Sequence, residues 1–221
     1  MHVRNSSTAG ATPDAGATAA DRRPVLVLVG PSGAGKSALV AALARLGVVT
    51  VHPTWTTRPP RPDEVAVRCP EHRFVSERRF DHLAGAGFFG DVVRPFDGAH
   101  RYGLPALPCR PAGPPATVDT IDTVLLRATY LDRVGGRLGP VVVYQVEAPP
   151  PVLAARLAAR GADPAEIRPR LAFDVDDTAI GRRRADRILP NEDTLASLVA
   201  RTLLALATDF GSGRTDAGRA A

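Results

Sequence analysis

Lysine is almost absent from this sequence. Of the 28 basic residues, Lys36 is the single lysine and all the others are arginines. Whatever compositional pressure replaced lysine elsewhere did not act at this position. A lysine ammonium is a compact charge on a slim stem, and a planar guanidinium would not fit the same space. This exception indicates that residue 36 has a specific chemical task.

Cysteine is also scarce, since the chain has only two. Cys69 and Cys109 lie in proline-rich stretches and cannot form a disulfide framework. Cys69-Pro-Glu-His72 supplies too few ligands for a zinc site. We therefore expect reduced thiols in a cytoplasmic protein.

Long apolar runs are missing, and none approaches the roughly 18 residues needed to span a bilayer. The first residues also lack the apolar region of a secretory signal, so we expect neither a membrane span nor secretion. The net charge of +5 and the pI near 10 favour phosphorylated partners. Nucleic acid is a weaker interpretation, because the arginines are scattered and form no RNP, zinc-finger or basic-zipper pattern. Oligomeric state cannot be read from these features.

Aromatic residues make up only 5% of the chain, but 44% of the residues are hydrophobic, which is ample for a core. A length of 221 residues suits one domain with a small insert. Residues 1–23 and 209–221 are rich in small polar residues without periodicity, which predicts disordered tails. The folded unit is therefore expected over residues 24–208.

The clearest motif is a phosphate-binding loop. Val25–Val29 is an apolar run typical of a strand buried on both faces, and Ala38–Leu46 has helical apolar spacing closed by Gly47. The segment between them matches G-x-x-x-x-G-K-S, whose backbone N–H groups and lysine hold phosphates while its serine hydroxyl ligates Mg²⁺. The residues expected to bind a nucleotide here are Gly30, Pro31, Ser32, Gly33, Ala34, Gly35, Lys36 and Ser37.

A second cationic element follows a short predicted strand at Val48–Val51. The segment from Pro53 to Glu64 contains four prolines, which exclude a helix and favour an extended or polyproline II path. On that path Arg58 and Arg61 lie on one face about 9 Å apart, so that both can converge on one phosphate. The alternative is a proline-rich surface loop with incidental arginines.

The second half of the chain predicts a strand at Val141–Val146 and a helix from Pro151 to Gly161. Asp163-Pro-Ala-Glu166 has the features of another helix start, and Pro169 should kink that helix. A strand and loop follow over Asp186–Asn191. A closing helix is expected from Asp193 as its N-cap through Ala207. Its predicted core-facing residues are Leu195, Leu198, Val199, Leu203 and Leu206.

These motifs together resemble the guanylate kinase family. The resemblance rests on the phosphate loop followed by Thr56-Thr-Arg-Pro-Pro-Arg-Pro-Asp-Glu64, and it continues in the same order through later segments of the folded unit. It implies a P-loop NTPase fold of three α/β/α layers with a central parallel sheet. It also implies a small acceptor-binding subdomain over about 53–104 and an arginine-bearing lid over about 156–184. The later segments are Arg73–Ser76, Gly87–Asp91, Tyr102–Gly103, Arg156–Gly161 and Asp186–Asn191.

The resemblance also implies roles for residues of the acceptor site. Arg58, Arg61 and Tyr102 match residues that hold the phosphate of the acceptor nucleotide. Thr54 and Asp91 match residues that contact the guanine base, with Asp91 standing where the family usually has glutamate. Two positions depart from the family pattern. His72 replaces a second tyrosine, and Leu104 replaces a small hydroxyl residue that would bind guanine O6.

For the donor nucleotide, the resemblance implies that the lid arginines Arg156, Arg160 and Arg170 lie over the phosphates. The alternative for each arginine is a solvated helix face. Asn191 matches an asparagine of the family that lies near the adenine of ATP.

The acid that orients Mg²⁺ is expected near Thr117–Asp122, at the end of a strand. Asp119 and Asp122 are both candidates, because the Gln and Gly that follow the family's aspartate are missing here. Either residue can instead be the N-cap of a helix over Thr123–Val134.

The function implied is transfer of the γ-phosphoryl group of ATP to a nucleoside monophosphate, most simply GMP, with ATP and Mg²⁺ as cofactors. The changed base pocket leaves a related small-molecule kinase, such as a ribose 1,5-bisphosphate phosphokinase, as the alternative. A catalytically silent guanylate kinase-like binding module is a third interpretation.

Overall fold

The computed structural model describes residues 24–61, 64–65, 71–94, 98–106, 121–134 and 140–210. In chain order the elements are β1 (Val25–Val29), α1 (Lys36–Arg45), β2 (Val49–His52), β3 (Thr54–Thr56), β4 (His72–Phe74), α2 (Glu77–Gly85), β5 (Phe89–Val93), β6 (Tyr102–Pro105), β7 (Ile121–Leu125), a 3-10 turn (Ala128–Tyr130), α3 (Leu131–Val134), β8 (Val141–Glu147), α4 (Pro150–Ala159), α5 (Pro164–Arg184), β9 (Arg187–Pro190) and α6 (Leu195–Phe210).

The centre of the molecule is a five-stranded parallel sheet in the order β2-β7-β1-β8-β9. All five residues of β1 are buried, because the strand is central and both of its faces are covered. Since all five strands are parallel, their carboxyl ends lie at one edge of the sheet. The segment that follows β1 therefore lies beside the residues that follow β7 and β8.

Helices cover both faces of this sheet, so the architecture has the three predicted layers. On one face, apolar residues of α1 and α6 pack with Leu26, Leu28 and Tyr144 of the central strands. On the other face, Val25, Val27 and Val29 pack with Leu131, and Ile180 of α5 packs against the same cluster. No helix among the described residues is both long and apolar enough to cross a membrane.

A second, smaller sheet has the order β4-β3-β6-β5 and lies within the predicted acceptor subdomain. β3 runs parallel to β4, whereas β6 pairs antiparallel with both β3 and β5. Thr54–Thr56 is therefore a strand, which is the extended alternative of the two predicted paths. Further along, the backbone N–H groups of Glu64 and Val65 donate to the carbonyl of Arg61, so a helical turn begins where prolines were expected to prevent one.

Several local predictions are wrong at particular residues. Thr123–Leu125 belongs to β7, so the predicted helix does not extend over Thr123–Val134 and Asp122 is not its N-cap. Pairing with β1 and β2 outweighs local helix signals. Thr194 precedes α6 and accepts a hydrogen bond from the Ser197 N–H, whereas the predicted cap, Asp193, pairs with Arg201.

The ends of the folded unit also differ from the prediction. α6 continues to Phe210, and Asp209 accepts hydrogen bonds from Arg187 and from the Tyr144 hydroxyl. These contacts tie the end of α6 to the sheet, so residues 209–210 are not part of a tail. Leu195, predicted to face the core, is 39% exposed. Residues 1–23 and 211–221 lie outside the described residues.

Candidate active site

The phosphate loop connects β1 with α1, as the motif predicts, and its glycines are required by close backbone approaches. Gly30 has φ +138°, and a Cβ there would lie 2.2 Å from the Val146 carbonyl oxygen. Gly35 has φ +98°, and a Cβ there would lie 2.4 Å from Asn191 Nδ2. Any other residue at either position would strain the backbone and move the loop away from β8 or β9.

Lys36 is the first residue of α1, and its side chain folds back over the loop. Its Nζ donates to the carbonyl oxygens of Gly30 at 2.5 Å and Pro31 at 2.9 Å. Burial lowers the pKa of Lys36 from 10.5 to about 8, against the opposing effect of the nearby Asp174 carboxylate. The ammonium is therefore still charged at neutral pH, but it is easily discharged above pH 8.

The predicted arginine pair converges on a carboxylate that the sequence prediction had not assigned. Arg58 donates to both carboxylate oxygens of Glu64, at 2.7 and 2.8 Å, and its Nε donates to the Tyr102 hydroxyl at 3.2 Å. The backbone N–H of Arg61 donates to Glu64 at 2.7 Å, and the Arg61 guanidinium lies 3.5 Å from the same carboxylate.

The Glu64 carboxyl and the Arg61 guanidinium both respond to this arrangement. Burial opposes ionisation of Glu64, but the hydrogen bonds from Arg58 and from the Arg61 N–H outweigh it and lower its pKa to about 2. Burial and the neighbouring charge of Arg58 lower the pKa of Arg61. Glu64 thus compensates part of the repulsion between two arginines that sit close together.

The side chains expected to bind the base lie on the small sheet. Thr54 is buried, and its Oγ1 is 2.7 Å from His72 Nδ1. Burial and the charge of Arg58 lower the pKa of His72 from 6.5 to about 4, so the imidazole is neutral at pH 7. Asp91 and Leu104 line the same cavity, with Leu104 6% exposed.

The lid arginines divide into two groups. Arg160, just after α4, and Arg170 on α5 line the same cavity as the phosphate loop, and Arg170 pairs with Glu166 at 3.3 Å. Arg156 instead donates to the carbonyl oxygens of Gly33 and Asn191, at 3.4 and 3.0 Å. Arg156 therefore supports the backbone of the phosphate loop, although the resemblance implies a position over the donor phosphates.

Asn191 also supports the loop. It is buried, and its Nδ2 donates to the Ala34 carbonyl oxygen at 2.7 Å. The hydrogen bond holds the centre of the phosphate loop against the end of β9. The side chain expected near adenine is thus bonded to the loop backbone.

Of the two aspartates predicted to serve Mg²⁺, Asp122 is not brought to the loop. Asp122 pairs in register with Val25, at the start of β1, whereas the loop follows the opposite end of that strand. Asp119 lies outside the described residues. Ser37 lines the cavity. Mg²⁺ uses one or two protein oxygens together with substrate phosphates, so the Ser37 hydroxyl fits such an ion. Among the side chains that the structure describes, no cluster of three or more His, Cys, Asp or Glu could hold a metal by itself.

One cavity of about 510 Å³ contains both halves of the predicted site. The phosphate loop with Lys36 forms one wall, and Arg58, Arg61 and Tyr102 form another. Such a cavity can hold two phosphorylated molecules with their anionic groups facing each other. Electrostatic neutralisation is the chemistry that this arrangement provides.

Sequence reasoning assigned no role to Arg127 and Asp174, which line this cavity, or to Glu64, which holds the arginine pair. Glu64 is the last residue of the arginine motif, and its position close to Arg58 and Arg61 in the sequence could have indicated a contact with them. Arg127 follows β7, and Asp174 lies within α5, 142 residues from the loop residue that it contacts. Nothing local in the sequence marks either of them.

The fold and the cavity define a P-loop kinase. No protein-family model matches the chain. It is 31% identical to the guanylate kinase of Rhodococcus jostii over 186 residues, which cover 81% of this chain and 86% of that protein. It is 35% identical to a ribose 1,5-bisphosphate phosphokinase of Pseudofrankia inefficax over 174 residues, covering 77% and 84% of the two chains.

A third relative, the guanylate kinase of Mycobacterium leprae, is 34% identical over 176 residues, which cover 74% of this chain and 81% of that protein. The solved guanylate kinase structure from Anaplasma phagocytophilum superposes with a TM-score of 0.59 at 17% identity, covering 88% of this chain and 89% of that one. The chain belongs to the guanylate kinase family as a divergent member, and it is a nucleotide-binding kinase.

Proposed function

We propose that the protein transfers the γ-phosphoryl group of ATP to GMP, giving ADP and GDP. The observation that carries this proposal is the single cavity shared by the phosphate loop and by Arg58, Arg61 and Tyr102. Asp91 lines the same cavity and can accept hydrogen bonds from the N1–H and N2–H₂ groups of guanine. Adenine does not offer donors in that pattern.

The acceptor needs no general base in this reaction. The second pKa of a phosphate monoester is about 6, so the attacking oxygen is already anionic near neutral pH. The obstacle is repulsion between two polyanions, and catalysis therefore consists of positioning and neutralisation. Lys36, Arg160 and Arg170 neutralise the donor phosphates, while Arg61 and the Arg58–Tyr102 pair hold the acceptor phosphate.

Magnesium is the expected companion of ATP, and it would neutralise charge on the β- and γ-phosphates. Ser37 is the residue that would hold it. The role of the chain around that ion is to orient the phosphates through the loop N–H groups and Lys36. Movement of α4 and α5 toward the loop would exclude water from the transferred group.

Ribose 1,5-bisphosphate is the second candidate acceptor, because the wall of the base pocket has changed. Leu104 is apolar and nearly inaccessible where guanine O6 requires a donor, and His72 is neutral. A sugar phosphate needs no guanine-specific contacts. Two relatives carry the name of this activity.

A coupled assay of ADP formation with GMP, dGMP, AMP, UMP and ribose 1,5-bisphosphate distinguishes the candidates. We expect turnover with GMP and dGMP and little with AMP or UMP. Turnover with the sugar bisphosphate alone would replace the first candidate by the second, and turnover with none would indicate a binding module.

The same assay tests the two cationic walls. Lys36→Ala should abolish turnover with every acceptor. Arg58→Ala should chiefly raise the acceptor KM, whereas Arg73→Ala, which removes an exposed arginine from the same small sheet, should change nothing. Unchanged acceptor kinetics in Arg58→Ala would remove the arginine pair from the site.

A further inference from the structure

Arg127 is a charged residue of the cavity to which no role has yet been assigned. It follows β7 at the sheet edge where β1 continues into the phosphate loop. Its side chain is 18% exposed and lines the cavity, and its charge acts on both Lys36 and Tyr130. A guanidinium that lines the cavity and acts on Lys36 lies close to the loop that would hold donor phosphates.

Acidic residues of α5 hold this guanidinium. Arg127 Nη2 lies 3.4 Å from Asp174 Oδ1 and 3.9 Å from Asp177 Oδ2, and its Cζ is 4.7 Å from the centre of the Phe173 ring. Asp177 also accepts hydrogen bonds from backbone N–H groups of the 3-10 turn, at 3.2 and 3.4 Å. Asp177 therefore anchors the segment that carries Arg127.

Asp174 makes a different contact. It is 3% exposed, and its second oxygen accepts a hydrogen bond from the Ser32 backbone N–H at 2.8 Å. An anionic group of the lid helix is thus bound directly to the loop that is built for anions. The same carboxylate is close enough to Lys36 to affect its pKa.

Donor phosphates bound to the phosphate loop would be repelled by the Asp174 carboxylate that is bonded to the same loop. A triphosphate brings several negative charges next to a carboxylate in a partly buried site, where like charges repel more strongly than in water. Breaking the contact between Asp174 and the loop relieves that repulsion. Arg127 then loses a partner while phosphate oxygens come within its reach.

We propose that Arg127 is a further phosphate-binding residue of the transfer reaction, and that Asp174 is a positioning residue which holds the guanidinium and the loop until the donor phosphates displace it. This inference rests on ATP as the donor. It does not depend on which acceptor is phosphorylated. Planar bidentate contacts suit Arg127 to a phosphoryl group, and a lysine could not reproduce them.

The first test is ADP binding by calorimetry without any acceptor. Asp174→Asn keeps an oxygen for the Ser32 N–H but removes the competing charge, so ADP should bind on the order of tenfold more tightly. Asp176→Asn is the matched control, since it removes an exposed charge from the same helix and should leave the affinity unchanged. Unchanged or weaker ADP binding in Asp174→Asn would overturn the positioning role.

The second test is turnover with the acceptor that the wild type uses best. Arg127→Ala should lower kcat on the order of 100-fold with little change in melting temperature, and millimolar guanidinium should restore part of the activity. Arg184→Ala, which breaks an exposed pair with Asp132, should keep kcat and show no rescue. Full turnover in Arg127→Ala would refute the proposal.

Arg127→Lys covers the case in which the alanine variant does not fold. It keeps the positive charge and should still lose at least tenfold in kcat, because the bidentate contact is gone. A lysine variant with wild-type kcat would again refute the proposal. If the wild type phosphorylates no acceptor, the proposed function fails, while the ADP experiment still decides the role of Asp174.

Discussion

Glu64 connects Arg58 and Arg61, the two arginines of the proposed acceptor site. It uses both carboxylate oxygens on Arg58 and also accepts the backbone N–H of Arg61. Arg58 also donates to the Tyr102 hydroxyl and the Pro59 carbonyl oxygen and lies over the Phe74 ring, and Glu64 is the charged partner that orients this guanidinium. Arg61 is 41% exposed and has more donors left for a ligand.

Glu64→Gln should raise the acceptor KM by about tenfold, because loss of one charge-assisted pair costs about 1.4 kcal/mol. The KM for ATP should not change, since the phosphate loop does not contact this residue. Steady-state kinetics at saturating ATP measures the effect. A lower acceptor KM would mean that Glu64 competes with the acceptor phosphate rather than positioning Arg58.

The lowered pKa of Lys36 predicts that nucleotide binding depends on pH. Its pKa is about 8 in the free protein, and bound phosphate must raise it. Between the free and bound pKa values, ADP binding therefore takes up a proton, and the affinity falls as the pH rises above 8. Calorimetry at pH 9 in buffers of different ionisation enthalpy should detect this proton. Equal affinity at pH 7 and pH 9.5 would contradict the prediction.

At the scale of elements, α5 forms most of the proposed lid and contributes side chains to the cavity. One end of the helix carries Arg170, which lines the cavity, and the other carries Arg182, whose guanidinium pairs with Glu147 of β8. The sequence at its start predicts this helix correctly, including Asp163 as the N-cap, which accepts the Ala165 N–H. The helix continues through Pro169, and the predicted kink there remains a prediction.

Arg170→Ala should lower kcat on the order of 100-fold, because a cation that faces the transferred phosphoryl group stabilises the charge of the transition state. Arg182→Ala is a control from the same helix and should leave kcat unchanged. Single-turnover kinetics with ATP in excess separates this loss from weaker binding. Equal rates in the two variants would show that Arg170 belongs to a solvated face.

The parts of the site that could be predicted from sequence are the local ones. The order of strand, loop and helix around Lys36 needs only neighbouring residues, and so does the spacing of Arg58 and Arg61. The contacts of Arg156 with Gly33 and of Asn191 with Ala34 join residues 123 and 157 positions apart. Strand register sets such contacts, and no local pattern encodes it.

For Asp122, register also explains the disagreement. The sequence predicts that a strand ends near Asp122, which would place this residue at the carboxyl end of the strand. The strand extends to Leu125, so residue 122 pairs with the start of β1, away from the loop. A shift of three residues was enough to move it about 10 Å along the sheet.

At the scale of the whole molecule, a small sheet and a large sheet face one cavity. Trp55 is the only tryptophan of the chain and lies in β3 of the small sheet. Its ring contacts Phe88 edge-on, with 5.2 Å between ring centres. The fluorescence of this residue therefore reports on the small sheet, which is the proposed acceptor half of the molecule.

GMP alone should change the fluorescence of Trp55, and ADP alone should change it much less, because the phosphate loop lies on the other sheet. Addition of both ligands should give a further change as the two halves close. Titrations of wild type and Trp55→Phe measure this effect, with the variant as the blank. An equal response to ADP alone would show that the halves do not bind separately.

The lone lysine gives the molecule a single cutting point for a lysine-specific endoprotease, at the peptide bond that follows Lys36. That bond lies at the start of α1, and the Lys36 side chain is folded over the phosphate loop. A protease cannot bind the backbone in an extended form there while the helix is intact. The rate of cleavage into two fragments would therefore report how readily the nucleotide site opens. Slower digestion in the presence of ADP would measure how firmly a nucleotide keeps that site closed.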